Sequence, residues 1–255
     1  MRAAVLTGIG SVEVQERPDP VAQPGWVVVR VGVASLCGTD AHQYEGRIDS
    51  TFPRVPGHDF AGTVESVGEG VSPDLVGTFF AVKPSLPCGE CAACADGRPL
   101  DCPRKKLIGL WSDGCLAERI AVPAVNLVPV PEGVPPWGAA LLEPFAVGLN
   151  CVDRLRVALG DTVLVLGQGP IGLAVARLVA ASGAGQLVVT DVRDEVFAVS
   201  RAYGATECLD SRDEGLVQRV LDLTGGRGAD IVVETSGAPP AVASVIDRVR
   251  KDELG

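Results

Sequence analysis

Hydrophobic and polar positions change their period twice along this chain. Over the first 36 residues the apolar positions come in short, Val-rich runs with partial alternation: Ala3–Leu6, Val12–Glu16 and, after the turn Gln23-Pro24-Gly25, Val27–Val33. Such runs read as strands. Another, Gly62–Val67, stops at Gly68-Glu69-Gly70, and Ala117–Val122 and Asn126–Val130 follow the turn Asp113-Gly114 and end at Pro131. Short strands broken by Pro and Gly predict a partly open β-barrel. From Trp137 to Leu155 apolar residues recur at helical spacing, with a break expected at Pro144. Beyond residue 160 strands and helices alternate: strand Asp161–Leu166, a helix from Ile171, a strand ending at Asp191, strand Thr206–Leu209, helix 214–223, strand Asp230–Glu234 and helix 240–249. The expected fold class is α/β plus β, with domains at 1–150 and 151–255.

The first strand–helix junction of the second half carries chemistry. Gly167-Gln168-Gly169-Pro170-Ile171-Gly172 follows the strand at once, and Ile171, Ala174, Val175, Leu178 and Val179 form the stripe of an amphipathic helix. Gly-x-Gly-x-x-Gly alone is a weak signal. Between a strand and a helix, with Asp191 ending the next strand 19 residues beyond Gly172, it specifies a dinucleotide site. Gly167 allows the tight turn, Gly169 lets backbone approach a pyrophosphate, and Gly172 permits close packing of helix on strand. Pro170 and Ile171 open the helix whose N-terminus faces the phosphates. Asp191 would accept hydrogen bonds from the adenosine ribose and repel a 2′-phosphate, which favours NAD over NADP. Four of the six strands of a full dinucleotide-binding sheet are expected here.

A second concentration of chemistry lies in the 23 positions from Cys37 to Asp59, which include both histidines of the chain, His42 and His58. Catalytic zinc takes three protein ligands from thiolate, imidazole and carboxylate and keeps a fourth position open. Cys37 and His58 supply two of them. Thr39 places a hydroxyl two residues from Cys37, and His42 could pass a proton from it to water. Asp40 is placed to accept the free ring N–H of His58. Glu143 sits in the apolar run Ala139–Val147, where an unpaired carboxylate is costly to bury. It reads either as a helix-capping or salt-bridged glutamate or as a metal-facing one.

Cys88, Cys91, Cys94 and Cys102 follow the spacing C-x2-C-x2-C-x7-C. A tetrahedral zinc on four thiolates closes this loop without oxidation, and a closed site stabilises rather than catalyses. The spacing differs from those of ferredoxins and zinc ribbons. Arg104, Lys105 and Lys106 are expected to face solvent, and Cys115, Cys151 and Cys208 to be small buried residues.

Composition narrows the partners. At 255 residues with 47% hydrophobic content and a mean hydropathy of +0.27, buried cores are well supported. A net charge of −10 and a pI near 4.7 argue against nucleic acid or an anionic membrane. No long apolar segment is free of Pro, Gly and charge, and the strand-like N-terminus lacks signal-peptide features, so the expected compartment is the cytoplasm.

Cys-Gly-Thr-Asp-x-His at Cys37–His42 followed by Gly-His-Asp-x-x-Gly at Gly57–Gly62 resembles the zinc-dependent medium-chain alcohol and polyol dehydrogenases, whose usual motif has Glu in place of Asp59. The resemblance covers the whole chain. It implies an N-terminal barrel related to the co-chaperonin (GroES-like) fold, a structural zinc on the four-cysteine lobe, and a Rossmann domain that here stops after its fourth strand and helix. It also implies that Glu143 coordinates zinc directly or through water, as in the sorbitol and threonine dehydrogenase branch. Asp59 is one methylene shorter than the usual Glu, which shifts the expected third ligand toward Glu143, with Asp59 the alternative. Many polyol relatives carry a basic residue five positions after the ribose aspartate; Val196 stands there, and Arg193 is its nearest replacement. The implied function is reversible oxidation of a secondary alcohol or polyol, with NAD and two Zn2+ per chain, and a homo-oligomer is compatible with it. The competing reading is a shortened zinc-binding remnant without turnover that serves as a binding protein.

Overall fold

The computed structural model describes residues 1–243, and the chain divides after Glu143 into two units. The first opens with the hairpin β1 (Arg2–Gly8) and β2 (Ser11–Glu16). Next come β3 (Trp26–Ser35), helix α1 (Gly38–Tyr44), β4 (Asp59–Val67) and β5 (Phe79–Val82). A lobe follows, entered through β6 (Ser85–Leu86), carrying the short helix α2 (Ala92–Ala95), and left through β7 (Lys106–Leu107). Strands β8 (Arg119–Pro123) and β9 (Leu127–Pro129) and helix α3 (Pro136–Ala140) complete this unit, and α4 (Leu142–Leu155) begins at its end.

Five of these strands form an antiparallel sheet in the order β8-β3-β4-β5-β9. Among the described residues the β1–β2 hairpin pairs with the rest of the unit through isolated bridges, Ala3 with Ala117 and Leu6 with Arg54, rather than through a ladder, so the barrel stays open. Alternate residues of the central strands, Val27, Val29, Phe60, Val64, Phe80 and Val82, pack into one core with Ile120 and Val122. Each such side chain taken fully from water stabilises the fold by about 1.5–3 kcal/mol. On another face of the sheet, Ala139 of α3 meets Ala61 and Ala81, small residues that bring the helix close to β4.

The second unit contains β10 (Thr162–Leu166), α5 (Pro170–Ala181), β11 (Gln186–Asp191), α6 (Phe197–Ala202), β12 (Glu207–Asp210), α7 (Leu216–Leu223), β13 (Ile231–Glu234) and α8 (Pro239–Ala243). The four strands are parallel in the order β12-β11-β10-β13. β10 reads as one apolar run because helices cover both of its faces. Val163 and Val165 pack with Val175 and Val179 of α5, while Leu164 and Leu166 pack with Val220 of α7. Among the described residues β13 is an end strand, and the expected continuation of α8 to residue 249 lies outside them.

Three local expectations are corrected. The helical stretch 137–155 breaks at Leu141 rather than Pro144. Pro144 is the third residue of α4, where a helix has no use for the missing N–H. Helix α1 and strand β5 stand where no element was expected. Of the three extra cysteines, only Cys115 is fully buried; Cys151 and Cys208 are half-buried against the core of the second unit.

Candidate metal centre and cofactor cleft

Cys37 and His58 meet because β3 and β4 pair antiparallel up to Ser35 opposite Asp59. Cys37, two residues past the pairing, is the N-cap of α1, and His58 is the residue before β4. The donor atoms of Cys37, His58 and Asp59 all lie within 4.8 Å of one another. His58 and Asp59 are 4% and 3% exposed, yet His58 Nδ1 and Asp59 Oδ1 have no hydrogen-bond partner. Buried polar atoms left so cost about 1–3 kcal/mol each, and a divalent cation among these donors removes that cost.

The electrostatics point the same way. A hydrogen bond from His58 outweighs burial and, with the N–H and hydroxyl of Thr39, lowers the Cys37 thiol. Burial opposes a charge on His58, but Cys37, Asp59 and Asp40 overcome it and hold the imidazole at about 9. Burial, together with the neighbouring Glu143, lifts Asp59 to about 7 despite the opposing pull of His58. Without a cation these groups hold protons between them; with one, the donors are neutralised by the metal.

Asp40 ties the Cys37 and His58 segments together. One carboxylate oxygen accepts the Cys37 N–H at 2.9 Å and the other accepts the Gly57 N–H at 2.9 Å. The first is half of a capping box, with a cysteine where Ser or Thr usually stands. Asp40 Oδ1 is 3.7 Å from His58 Nδ1, beyond hydrogen-bond length, so the expected direct bond to the imidazole is not made. The other side of Gly57 is pressed by backbone: a Cβ at Gly114 would stand 2.2 Å, and one at Gly109 2.4 Å, from the Gly57 carbonyl oxygen.

Thr39 Oγ1 lies 3.7 Å from Cys37 Sγ, and His42 is exposed in the last turn of α1, one helical turn beyond Thr39. Glu143 sits in the first turn of α4, within hydrogen-bonding reach of Asp59. It is outside the cluster of converging donors, so Asp59 is the carboxylate that the chain brings beside Cys37 and His58. This is the reverse of the order expected from side-chain length.

The four cysteines of the lobe also converge within 4.8 Å. Cys91 Sγ is 3.5 Å from Cys94 Sγ, and the Cys88 N–H points to Cys102 Sγ at 3.4 Å. The Glu90 N–H leads the effects that pull Cys88 down to about 6, while desolvation and the Cys91 thiol hold Cys94 up at about 11. Such competition among four thiols suits a tetrahedral cation. Arg104 pairs with Glu90 at 2.7 Å and Lys106 is exposed, whereas Lys105 folds onto the Leu100 carbonyl.

In the second unit a cleft of about 560 Å³ opens at the carboxyl ends of the strands. Gly167, Gly169, Asp191 and Arg193 line it; Pro170, Ile171 and Gly172 do not, and Ile171 packs into the core instead. A Cβ at Gly172 would stand 2.0 Å from the Gly167 carbonyl oxygen, whereas one at Gly169 would meet nothing within 4 Å. The bare backbone at Gly169, at the N-cap of α5, fits a pyrophosphate. Asp191 accepts N–H groups from Gln168 at 2.6 Å and Arg193 at 2.9 Å and the Arg193 guanidinium at 3.1 Å. Burial pushes this carboxyl up, but the bonds from Arg193 and the Gln168 N–H together keep it below its usual range.

Residues 23–132 match the family described as alcohol dehydrogenase GroES-like domain, and residues 170–253 that described as zinc-binding dehydrogenase. The sorbitol dehydrogenase of Bacillus subtilis is 32% identical over 98% of this chain and 72% of its own length. The chain belongs to the zinc-dependent medium-chain dehydrogenases. The L-threonine 3-dehydrogenase of Pyrococcus horikoshii is 36% identical over 93% of this chain and 69% of that protein. Among solved structures, an alcohol dehydrogenase from E. coli CFT073 complexed with NADH superposes with a TM-score of 0.90 at 30% identity, covering 98% of this chain and 73% of that one. A zinc-binding dehydrogenase from Sinorhizobium meliloti 1021 bound to NADP gives 0.91 at 29% identity, with 98% and 73% covered.

Within this dehydrogenase two structural residues escaped the sequence reading. Gln168 is fully buried; its amide donates to the Gly167 carbonyl while Ser200 donates to its Oε1, so it clamps the glycine turn. Thr235, just past β13, donates to the Leu166 and Gly167 carbonyls. The rule that ligands bind beyond the carboxyl ends of parallel strands would have singled out Thr235. Among the described residues no helix is long and apolar enough to cross a membrane.

Proposed function

We propose that this dehydrogenase oxidises a secondary alcohol or polyol reversibly to the ketone, with NAD as hydride acceptor and release of one proton. The observation that carries the reading is the convergence of Cys37, His58 and Asp59 around buried, unpartnered Nδ1 and Oδ1 atoms. These three residues hold the catalytic zinc, with Glu143 a neighbour of Asp59. The metal supplies Lewis acidity that lowers the pKa of a substrate hydroxyl, and the nicotinamide supplies the redox step. Asp40 fixes the spacing of the Cys37 and His58 segments. Thr39 Oγ1 would accept the hydroxyl proton while giving up its own, which the exposed His42 would take and hand to water. Cys88, Cys91, Cys94 and Cys102 hold a second, structural zinc, giving two per chain. Asp191 accepts the adenosine ribose diol, which favours NAD, and Gly169 leaves room for the pyrophosphate.

The donor cluster and the dinucleotide cleft favour turnover over a remnant that merely binds zinc. Metal analysis of protein purified without chelator is expected to give a zinc ratio near two, and an NADH absorbance assay over secondary alcohols and polyols is expected to show turnover. Cys37→Ser should remove one zinc together with activity. A ratio near one that survives Cys37→Ser and falls with Cys91→Ser would remove the catalytic metal from this account.

A further inference from the structure

The peptide group joining Gly167 to Gln168 is pinned at both of its ends. Its N–H, that of Gln168, donates to Asp191 Oδ2 at 2.6 Å. Its carbonyl, that of Gly167, accepts the Gln168 side-chain amide at 2.8 Å and the Thr235 hydroxyl at 2.9 Å. Gly167 has φ +92°, and with no Cβ it leaves this peptide plane free to adopt more than one setting. Turned over, the peptide would present its carbonyl oxygen to the Asp191 carboxylate, acceptor against acceptor. The donors on the carbonyl hold it the other way.

The Gln168 side chain is fully buried, where an amide left unpaired is costly. Its Nε2 goes to the carbonyl just described, and its Oε1 receives the hydroxyl of Ser200 at 3.0 Å. Ser200 lies in α6, 32 residues further along the chain, and is itself fully buried. With its two ends exchanged the amide would set oxygen against the Gly167 carbonyl, so one orientation satisfies both contacts. Filling space does not account for the pair, since an apolar side chain of similar length would occupy the site with no amide to satisfy. Arg193 holds Asp191 from within its own loop, through its backbone N–H and its guanidinium. The Gln168 N–H is the bond that ties this carboxylate to the turn after β10.

Resting on the dinucleotide reading above, we propose that Gln168, its amide fixed by Ser200, is a positioning residue for the ribose carboxylate. It keeps the N–H of the 167–168 peptide turned toward Asp191. It thereby sets how sharply the cleft distinguishes a ribose with a 2′-hydroxyl from one without it. Neither Gln168 nor Ser200 lines the cleft, so both act from behind its wall.

Calorimetric titration of the whole chain with ADP and 2′-deoxy-ADP tests this without turnover. The unaltered chain is expected to bind ADP more tightly. Gln168→Met keeps the length of the side chain and removes the amide. It is expected to weaken ADP about 10-fold and 2′-deoxy-ADP no more than about 2-fold, so that the preference shrinks. Ser200→Ala is expected to shrink it about 3-fold, and the double variant to match Gln168→Met alone, because Ser200 works through that amide. Equal weakening of both nucleotides would reduce the pair to packing and overturn the proposal. An unchanged preference in both single variants, or losses that multiply in the double variant, would do the same. Where Gln168→Met melts below the titration temperature, Ser200→Ala, which deletes one hydroxyl, carries the test. If the unaltered chain binds the two nucleotides equally, Asp191 does not read the 2′-hydroxyl, and the proposal fails while the dinucleotide site stands. If neither nucleotide nor NADH binds, the dinucleotide reading falls and takes this one with it.

Discussion

Replacing Asp40 by asparagine removes one acceptor and inserts one donor between the segments that carry Cys37 and His58. The carboxylate makes two bonds of 2.9 Å to the Cys37 and Gly57 N–H groups and is only 7% exposed. Bonds to a charged acceptor are worth about 1.5–3 kcal/mol each. The asparagine side chain keeps one of them in neutral form and turns an amide N–H toward the other backbone N–H, leaving a buried donor unsatisfied at about 1–3 kcal/mol. The local cost is then about 2–4 kcal/mol, felt at the spacing of the two zinc ligands. Supporting residues of this kind typically change metal affinity about 10–100-fold, and that is the range expected here for the Cys37–His58–Asp59 site. Competition with a chromophoric chelator would read two zinc classes, one weakened and the four-cysteine one unchanged, since none of its ligands lies on these segments. Wild-type affinity at both sites in Asp40→Asn would show that this carboxylate does not set the ligand spacing.

Asp59→Asn is expected to weaken catalytic zinc more than Glu143→Gln does, because Asp59 stands in the donor cluster and Glu143 behind it; the opposite ranking in the same chelator assay would make Glu143 the ligand. Gly114→Ala forces a Cβ against the Gly57 and Pro56 carbonyls, an overpacking worth about 1–3 kcal/mol, so thermal stability of the first unit and catalytic zinc content should fall together while nucleotide binding by the second unit is kept. Asp210 is held at about 2, first by the Arg212 side chain, so its contribution to stability is present above the ordinary carboxylate value and lost as pH falls through 2. NMR titration should show its pKa rising toward the ordinary value in Arg212→Ala; an unmoved midpoint would contradict the pairing.

How much of this was legible depended on whether a residue's partner was local. Val163, Leu164, Val165 and Leu166 announce a buried strand by themselves, and the glycines after them announce the turn, so the α/β unit could be read from order alone. The four cysteines need only each other. Asp40 was recognised as important but given the wrong partner, because its bonds go to two backbone N–H groups that no side-chain pattern records. The box it closes is disguised by Cys37 standing where Ser or Thr is expected. That Asp59 rather than Glu143 falls in the donor cluster could not be read from side-chain length, since it depends on how the start of α4 packs against β4. Helix α1 went unseen because its seven residues, starting at Gly38, are too few to show a period.

The neck formed by β6 and β7 has a consequence for how this chain tolerates change. Ser85 pairs with Leu107 and Leu86 with Lys106, so the polypeptide leaves the barrel and returns to it at a single point. Paired residues in an antiparallel ladder have Cα atoms about 4.5–5.5 Å apart, a gap that a hairpin turn of two residues closes. The four-cysteine lobe is thus an insertion hung on a hairpin stem. Lengthening, shortening or replacing it leaves the path of the barrel strands unchanged, provided the stem is kept. In evolutionary terms, the same architecture is open to losing its cysteines, or to carrying an unrelated appendage there, without redesign of the metal centre between β3 and β4.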